Sequence, residues 1–347
     1  MDDQQKRAII ADAWHMKGTA HVPYIVEVGR PHLATLEYWD NDANELAWNI
    51  DYHRSLREVI DYNIPNIKPN VGIGIVASAI GCETVPNNEA DPWIKPLINE
   101  STVDRVYDLR KPDINTCEVY DRAFKRLSYL QSHSSLPLRM LNVPSPLVVA
   151  SQVCEYTSFV ESTITHPNEV HHLMELVTAS VIEYLQQQLR RIRNLYTAGH
   201  EPFYIPKEIG IRISDDTAAI MSPNGFKKYG LPYNSLIARE FHGLIWHSCG
   251  DVTRVLPAVL ETPELRGVDI VLPQNNWEKL KAAIEGRAAI LARHYYWDHS
   301  RKEVDLLDYS RQILDYFGRD GVLILTSTPT LPDAVSLSTQ LRGLCEG

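Results

Sequence analysis

The sequence predicts an α/β fold, a single eight-stranded parallel (β/α)8 barrel of the TIM type. Three observations predict it. From Tyr204 onward, short apolar runs alternate with segments of helical period, the pattern of parallel strands joined by crossover helices. Upstream, strand-like runs near 22–28, 64–76 and 136–143 bring the count to eight, the number that closes a barrel. The length, 347 residues, suits such a barrel, and no linker, low-complexity tract or short repeat interrupts it. Residues 1–347 therefore read as one domain, with 1–20 as a helical extension. An open doubly wound sheet is the runner-up.

The elements follow in order. Ile9, Ile10, Ala13 and Trp14 share one helical stripe. Val22–Val28 is a strand ending at Gly29-Arg30-Pro31-His32. The stretch 41–60 looks helical. Gly72, Gly74 and Gly81 mark tight turns in 71–81, where a ligand could approach the backbone. Four prolines make 86–113 irregular, with a short helix from Thr102. A helix over 114–131 precedes the 136–143 strand, which Pro144-Ser145-Pro146 closes. A buried helix over 147–162 comes next, and Pro167 opens a long one, with Val170, Leu173, Val177, Val181 and Leu185 in phase.

Ile209, Ile211 and Ile213 then define a strand that ends in Asp215-Asp216. Ser222-Pro223 starts a helix with a cap and a first-turn proline. Leu244-Ile245-Trp246 is the end of a buried strand, running into His247-Ser248-Cys249-Gly250-Asp251. Asp251 can cap a helix over 252–260. Strands at 268–272, 288–292 and 321–325 alternate with helices at 277–286 and 304–317.

Composition narrows the function. The formal net charge is −10, so a phosphate backbone is repelled and nucleic acid is not expected as a partner. Five dispersed cysteines argue against a disulfide framework. No apolar run nears the roughly 20 residues that span a bilayer, and Met1–Gln5 is too polar for a signal peptide. A cytoplasmic enzyme of a small-molecule substrate, with a homodimer open, is the expectation.

In a barrel, chemistry gathers where strands end. His247 and Cys249 are two apart, so an extended backbone turns both to one face. Imidazole and thiol side by side make half of a zinc site, or a thiol beside its base. Asp215 and Asp216 offer paired acids for proton exchange. Arg30 and Arg293 can grip an anion with a planar fork, and Asn142, Asp251, Gln274, Asn275 and Tyr295 can line a substrate pocket. His171-His172 reads as surface.

Together these stretches resemble the uroporphyrinogen decarboxylase superfamily, and within it the corrinoid-linked methyltransferases more than the decarboxylases. The resemblance is most specific from Ile211 to Asp251: a strand ending in Asp215, then Ser222-Pro223, Leu231-Pro232-Tyr233 and a His-x-Cys-Gly ending. It implies a distorted eight-stranded barrel in which His247 and Cys249 fall on two zinc-ligand positions. It further implies methyl transfer between a thiol and a cobalamin carried by a separate corrinoid protein, since no cobalamin domain is visible. The family's third ligand is a Cys after the last strand. Here that loop reads Leu325-Thr326-Ser327-Thr328-Pro329-Thr330, so a carboxylate from Asp215 or Asp216, or Cys82, is the candidate substitute. A cofactor-free decarboxylase of a small or tetrapyrrole carboxylate, and a non-catalytic binding barrel, are the alternatives.

Overall fold

The computed structural model describes residues 1–18, 20–29, 41–86, 92–295 and 304–346, with no side chain at Tyr295. The candidate Arg30 and the aromatic stretch 296–299 lie outside the described residues.

Ten strands are described: β1 (Tyr24–Val28), β2 (Glu83–Val85), β3 (Trp93–Lys95), β4 (Leu138–Arg139), β5 (Leu195–Thr197), β6 (Ile211–Ser214), β7 (Leu244–Ser248), β8 (Leu265–Val271), β9 (Ala289–Tyr295) and β10 (Val322–Thr328). Six of them form one all-parallel sheet in the order β1-β10-β9-β8-β7-β6. The alternation expected from Tyr204 onward is therefore present. Its register places Ser214 beside His247, and His247 beside Asp269.

The expected eight-stranded ring is not. Among the described residues the remaining arc is closed by fragments. Tyr62 donates its backbone N–H to Tyr24 at 2.9 Å, Ile67 bridges Leu138, β4 pairs with β5, and Pro144 bridges Ser214. The strand expected over 64–76 fails for a local reason: Pro65 and Pro69 have no N–H to give a ladder. Residues 75–80 turn into a helix instead. The strand expected over 136–143 pairs for only two residues, and β5 was not anticipated.

Helices follow their signals with two revisions. Ser222 Oγ accepts the Gly225 N–H at 3.0 Å, with Pro223 in the first turn of Pro223–Tyr229. The long helix spans Pro167–Arg191 as its period implied. The buried helix over 147–162 is two helices, Pro146–Val153 and Tyr156–Thr165. The Glu155 carboxylate accepts from Thr157 and Ser158 and starts the second. The helix expected over 252–260 shrinks to Leu256–Val259, preceded by turns.

One cluster of buried apolar side chains runs from Ile10 to Cys345. The first helix, Asp3–Trp14, belongs to it. Trp14 lies over Gly267 of β8, where an added Cβ would come within 2.7 Å of the indole. Its Nε1 donates to the Tyr204 carbonyl at 2.9 Å. The N-terminal segment thus seals the end of the sheet away from the strand C-termini. No described helix is long and apolar enough to cross a membrane.

Candidate metal centre at the ends of β6 and β7

Strand alternation sorts the side chains at these ends. On β7, Trp246 turns outward to meet the Phe226 ring edge-on at 6.4 Å, so His247 turns inward. On β6, Ser214 pairs with His247, and Arg212 on the same face reaches Ser214 Oγ at 3.2 Å. Two residues on from this pair stand Asp216 and Cys249. They meet: the Cys249 N–H donates to Asp216 Oδ1 at 2.7 Å. Gly250 makes the approach possible, because a Cβ there would lie 2.5 Å from the Ala219 Cβ in the turn Asp216–Ile220.

The result is a convergence of three donors. One ligand atom each from Asp216, His247 and Cys249 lies within 4.8 Å of the others, and His247 Nε2 is 3.2 Å from Cys249 Sγ. In a tetrahedral zinc site, adjacent nitrogen and sulfur ligands are about 3.5 Å apart. Donor chemistry and spacing both fit zinc, and three protein ligands would leave a fourth position open, the pattern of catalytic zinc.

The histidine is pre-set. Its Nδ1 lies 2.9 Å from the Asp269 main-chain carbonyl, which can only accept. Nδ1 therefore carries the proton, and in the neutral ring Nε2 presents its lone pair to Cys249 and Asp216. Cys249 is exposed at the rim, with part of its side chain against the strand ends. Burial, then Asp216, pushes its thiol up to about 12, so without a metal it stays protonated at neutral pH. Tyr156 also faces Asp216: burial, then that carboxylate, pushes its phenol up.

Beneath the pair lies a buried ionic floor. Asp269, fully buried, accepts from Arg212 Nε at 2.7 Å and from Arg293 Nη2 at 2.8 Å, with Arg293 Nε on its other oxygen. Glu201 brackets both arginines, 3.0 Å from Arg293 Nη2 and 3.5 Å from Arg212 Nη2. Burial alone would raise both carboxyls. Arg293 leads the groups that outweigh it and holds them well below the usual carboxylate range.

The family model for uroporphyrinogen decarboxylase (URO-D) matches residues 55–192. A solved methyltransferase from Methanosarcina mazei superposes with a TM-score of 0.70 over 98% of each chain, at 13% identity. The chain thus resembles the uroporphyrinogen decarboxylase family over residues 55–192 and shares the fold of that methyltransferase over its length. A bee venom hyaluronidase bound to a hyaluronic acid tetramer matches at 10% identity over 92% of this chain and 96% of its own. Its TM-score of 0.38 is too low to bear on the fold. No curated protein matches the sequence.

The fold places the sequence candidates unequally. His247 and Cys249 come together, and Asp216 joins them. Asp215 does not. It is fully buried toward the helix layer and accepts from Ser145 Oγ at 2.7 Å, Trp246 Nε1 at 2.8 Å and Asn234 Nδ2 at 2.9 Å. Burial raises its pKa, and its oxygens are committed to those three donors. The carboxylate that lies with His247 and Cys249 at the mouth is that of its neighbour, Asp216. Cys82 is also elsewhere, its sulfur 3.9 Å from the Gln152 carbonyl.

Arg293 belongs to the floor rather than to a substrate grip. Asn275 is a clamp: Nδ2 donates to Gly250 and Val271 carbonyls at 3.2 and 2.9 Å, and Oδ1 accepts the Val252 N–H at 2.9 Å. It ties the β8 end to the turn after Cys249. Asp251 accepts from Thr253 N at 3.0 Å and closes that same turn. Asn142 and Gln274 are half-buried at strand ends. His294, which burial drives down to about 3, faces away from the mouth, its Nε2 3.2 Å from Ser310 Oγ. His171 meets the Tyr233 hydroxyl at 2.9 Å, away from the centre. The glycine-rich turns line a separate cavity of roughly 350 Å³ with Arg122 and Arg126.

Sequence reasoning missed Asp269, Arg212 and Glu201. Asp269 sits in an apolar run, Val268-Asp269-Ile270-Val271, where a charge needs a buried partner. That was the available signal. Glu201 lies in a loop and gave none.

Proposed function

We propose that this chain is a methyltransferase that holds a thiol at a zinc ion ligated by Asp216, His247 and Cys249. The methyl group would travel to or from a corrinoid carried by a partner protein. The observation that carries the reading is the convergence of those three side chains at the open end of the sheet. The Methanosarcina mazei methyltransferase, alike over the whole length, supports it.

Zinc, when bound, supplies one thing: it keeps a thiol deprotonated near neutral pH. The chain's own residues do the rest. Asp269 fixes the imidazole tautomer, so that Nε2 is the atom offered. Asp216 takes the Cys249 N–H and sets the sulfur at the rim. Asn275 holds the Gly250 turn in place behind it. In the transfer, the thiolate sulfur forms a bond to the methyl carbon, and the electron pair of the broken carrier bond stays with the carrier.

The decarboxylase alternative needs an arginine to grip the substrate carboxylate. Of its two candidates, Arg293 is bound to Asp269 and Glu201 instead, and Arg30 lies outside the described residues. The test is spectral. Zinc-loaded protein mixed with methylcobalamin and a small thiol is expected to shift the corrinoid spectrum and yield the thioether, with no change for His247→Ala. Turnover of a carboxylate by metal-free protein, with no corrinoid change for any thiol, would overturn the proposal.

A further inference from the structure

We propose that Asp269 is the positioning residue of this centre, acting on the metal through His247 from a seat locked by Arg212, Arg293 and Glu201. The inference rests on the reading of Asp216, His247 and Cys249 as ligands, and goes beyond it by assigning what orients them.

Asp269 approaches His247 Nδ1 twice: its main-chain carbonyl at 2.9 Å and its Oδ1 at 3.3 Å. Both fall on the ring nitrogen away from Cys249. The carbonyl orders the tautomer. The carboxylate adds a fixed negative charge behind the ring, which makes Nε2 a stronger donor to a cation. A lone buried carboxylate would be costly and free to rotate. Arg293 straddles both oxygens and Arg212 Nε holds Oδ2 at 2.7 Å, so this one does not rotate. Glu201 in turn offsets the second cation and spans both guanidinium groups. Asp269 exposes nothing to solvent and so has no path to a substrate; what it touches is the ligand and the bracket.

Two measurements test this, and both read something other than turnover. In metal-free wild-type protein labelled with 15N-histidine, the His247 ring, assigned by its loss in His247→Gln, is expected as the Nδ1–H tautomer. A ring protonated at Nε2 overturns the proposal. In cobalt(II) titrations, Asp269→Asn is expected to weaken metal affinity about 10- to 100-fold. The sulfur-to-cobalt charge-transfer band should survive at saturation, because Cys249 is untouched. Affinity within about twofold of wild type in a folded Asp269→Asn protein overturns it. If that variant does not fold, the tautomer decides. Wild-type protein that binds no cobalt, yet shows the Nδ1–H ring, refutes the metal reading and leaves the positioning of His247 standing.

Discussion

The rim and the floor of the strand ends carry similar residues and treat them oppositely. On the floor, Asp269 and Glu201 are paired with Arg212 and Arg293, and Asp269 also reaches His247. On the rim, Asp216, His247 and Cys249 crowd donor atoms together without an opposing cation in the group. Charge that is neutralised in place holds the structure; donors that converge on one another are kept for something that arrives. The same contrast separates two neighbours in sequence. Asp215 is saturated by three donors in the helix layer, and Asp216 stands at the mouth.

The contrast can be broken or sharpened by mutation. Arg212→Ala removes one side of the floor and should cost about 3–5 kcal/mol in urea unfolding, the usual penalty for orphaning a buried charge. Asp216→Ala should cost under about 1 kcal/mol. Equal losses would erase the distinction. Next in size, Asp215→Ala leaves the Ser145, Asn234 and Trp246 donors unpaired, an expected loss of about 3 kcal/mol with metal content unchanged. Asn275→Ala should lose about 1–2 kcal/mol, and should also weaken metal binding several-fold, because the turn behind Cys249 is released.

Acid separates floor from rim. Asp269 and Glu201 are held well below the usual carboxylate range, so their stabilisation is complete above a pH of about 4 and is lost as pH falls below it. Melting temperatures should drop on that acid limb, less steeply for Glu201→Gln. Asp215, raised by burial, has the opposite sign: its charge costs stability above its folded pKa. The smallest effect is at the rim. Cys249, pushed up to about 12, should alkylate slowly in metal-free protein at pH 7.5 and accelerate steadily toward high pH. Fast alkylation at neutral pH would mean that the thiol is already activated.

The sequence was legible where structure is local. Apolar period and caps located β6 to β10 and most helices, and the two-residue spacing of His247 and Cys249 was enough to turn them to one face. The first half was less so, because Pro65, Pro69 and the glycines that follow break a strand into single bridges. The third donor was left open between Asp215, Asp216 and Cys82. Period-two alternation separates Asp215 from Asp216, but choosing between them needs the register of β6 against β7, which no single strand carries. The floor was missed for the same reason: Glu201 and Asp269 are 68 residues apart and meet only through two arginines.

Metal content tests the centre most directly. Protein purified without chelator should hold about one zinc per chain, keep it in Asp215→Asn, and lose it in His247→Ala and Asp216→Ala. Zinc retained in Asp216→Ala but lost in Asp215→Asn, or absent from the wild-type chain after reconstitution, would contradict the assignment of Asp216, His247 and Cys249 as the ligands.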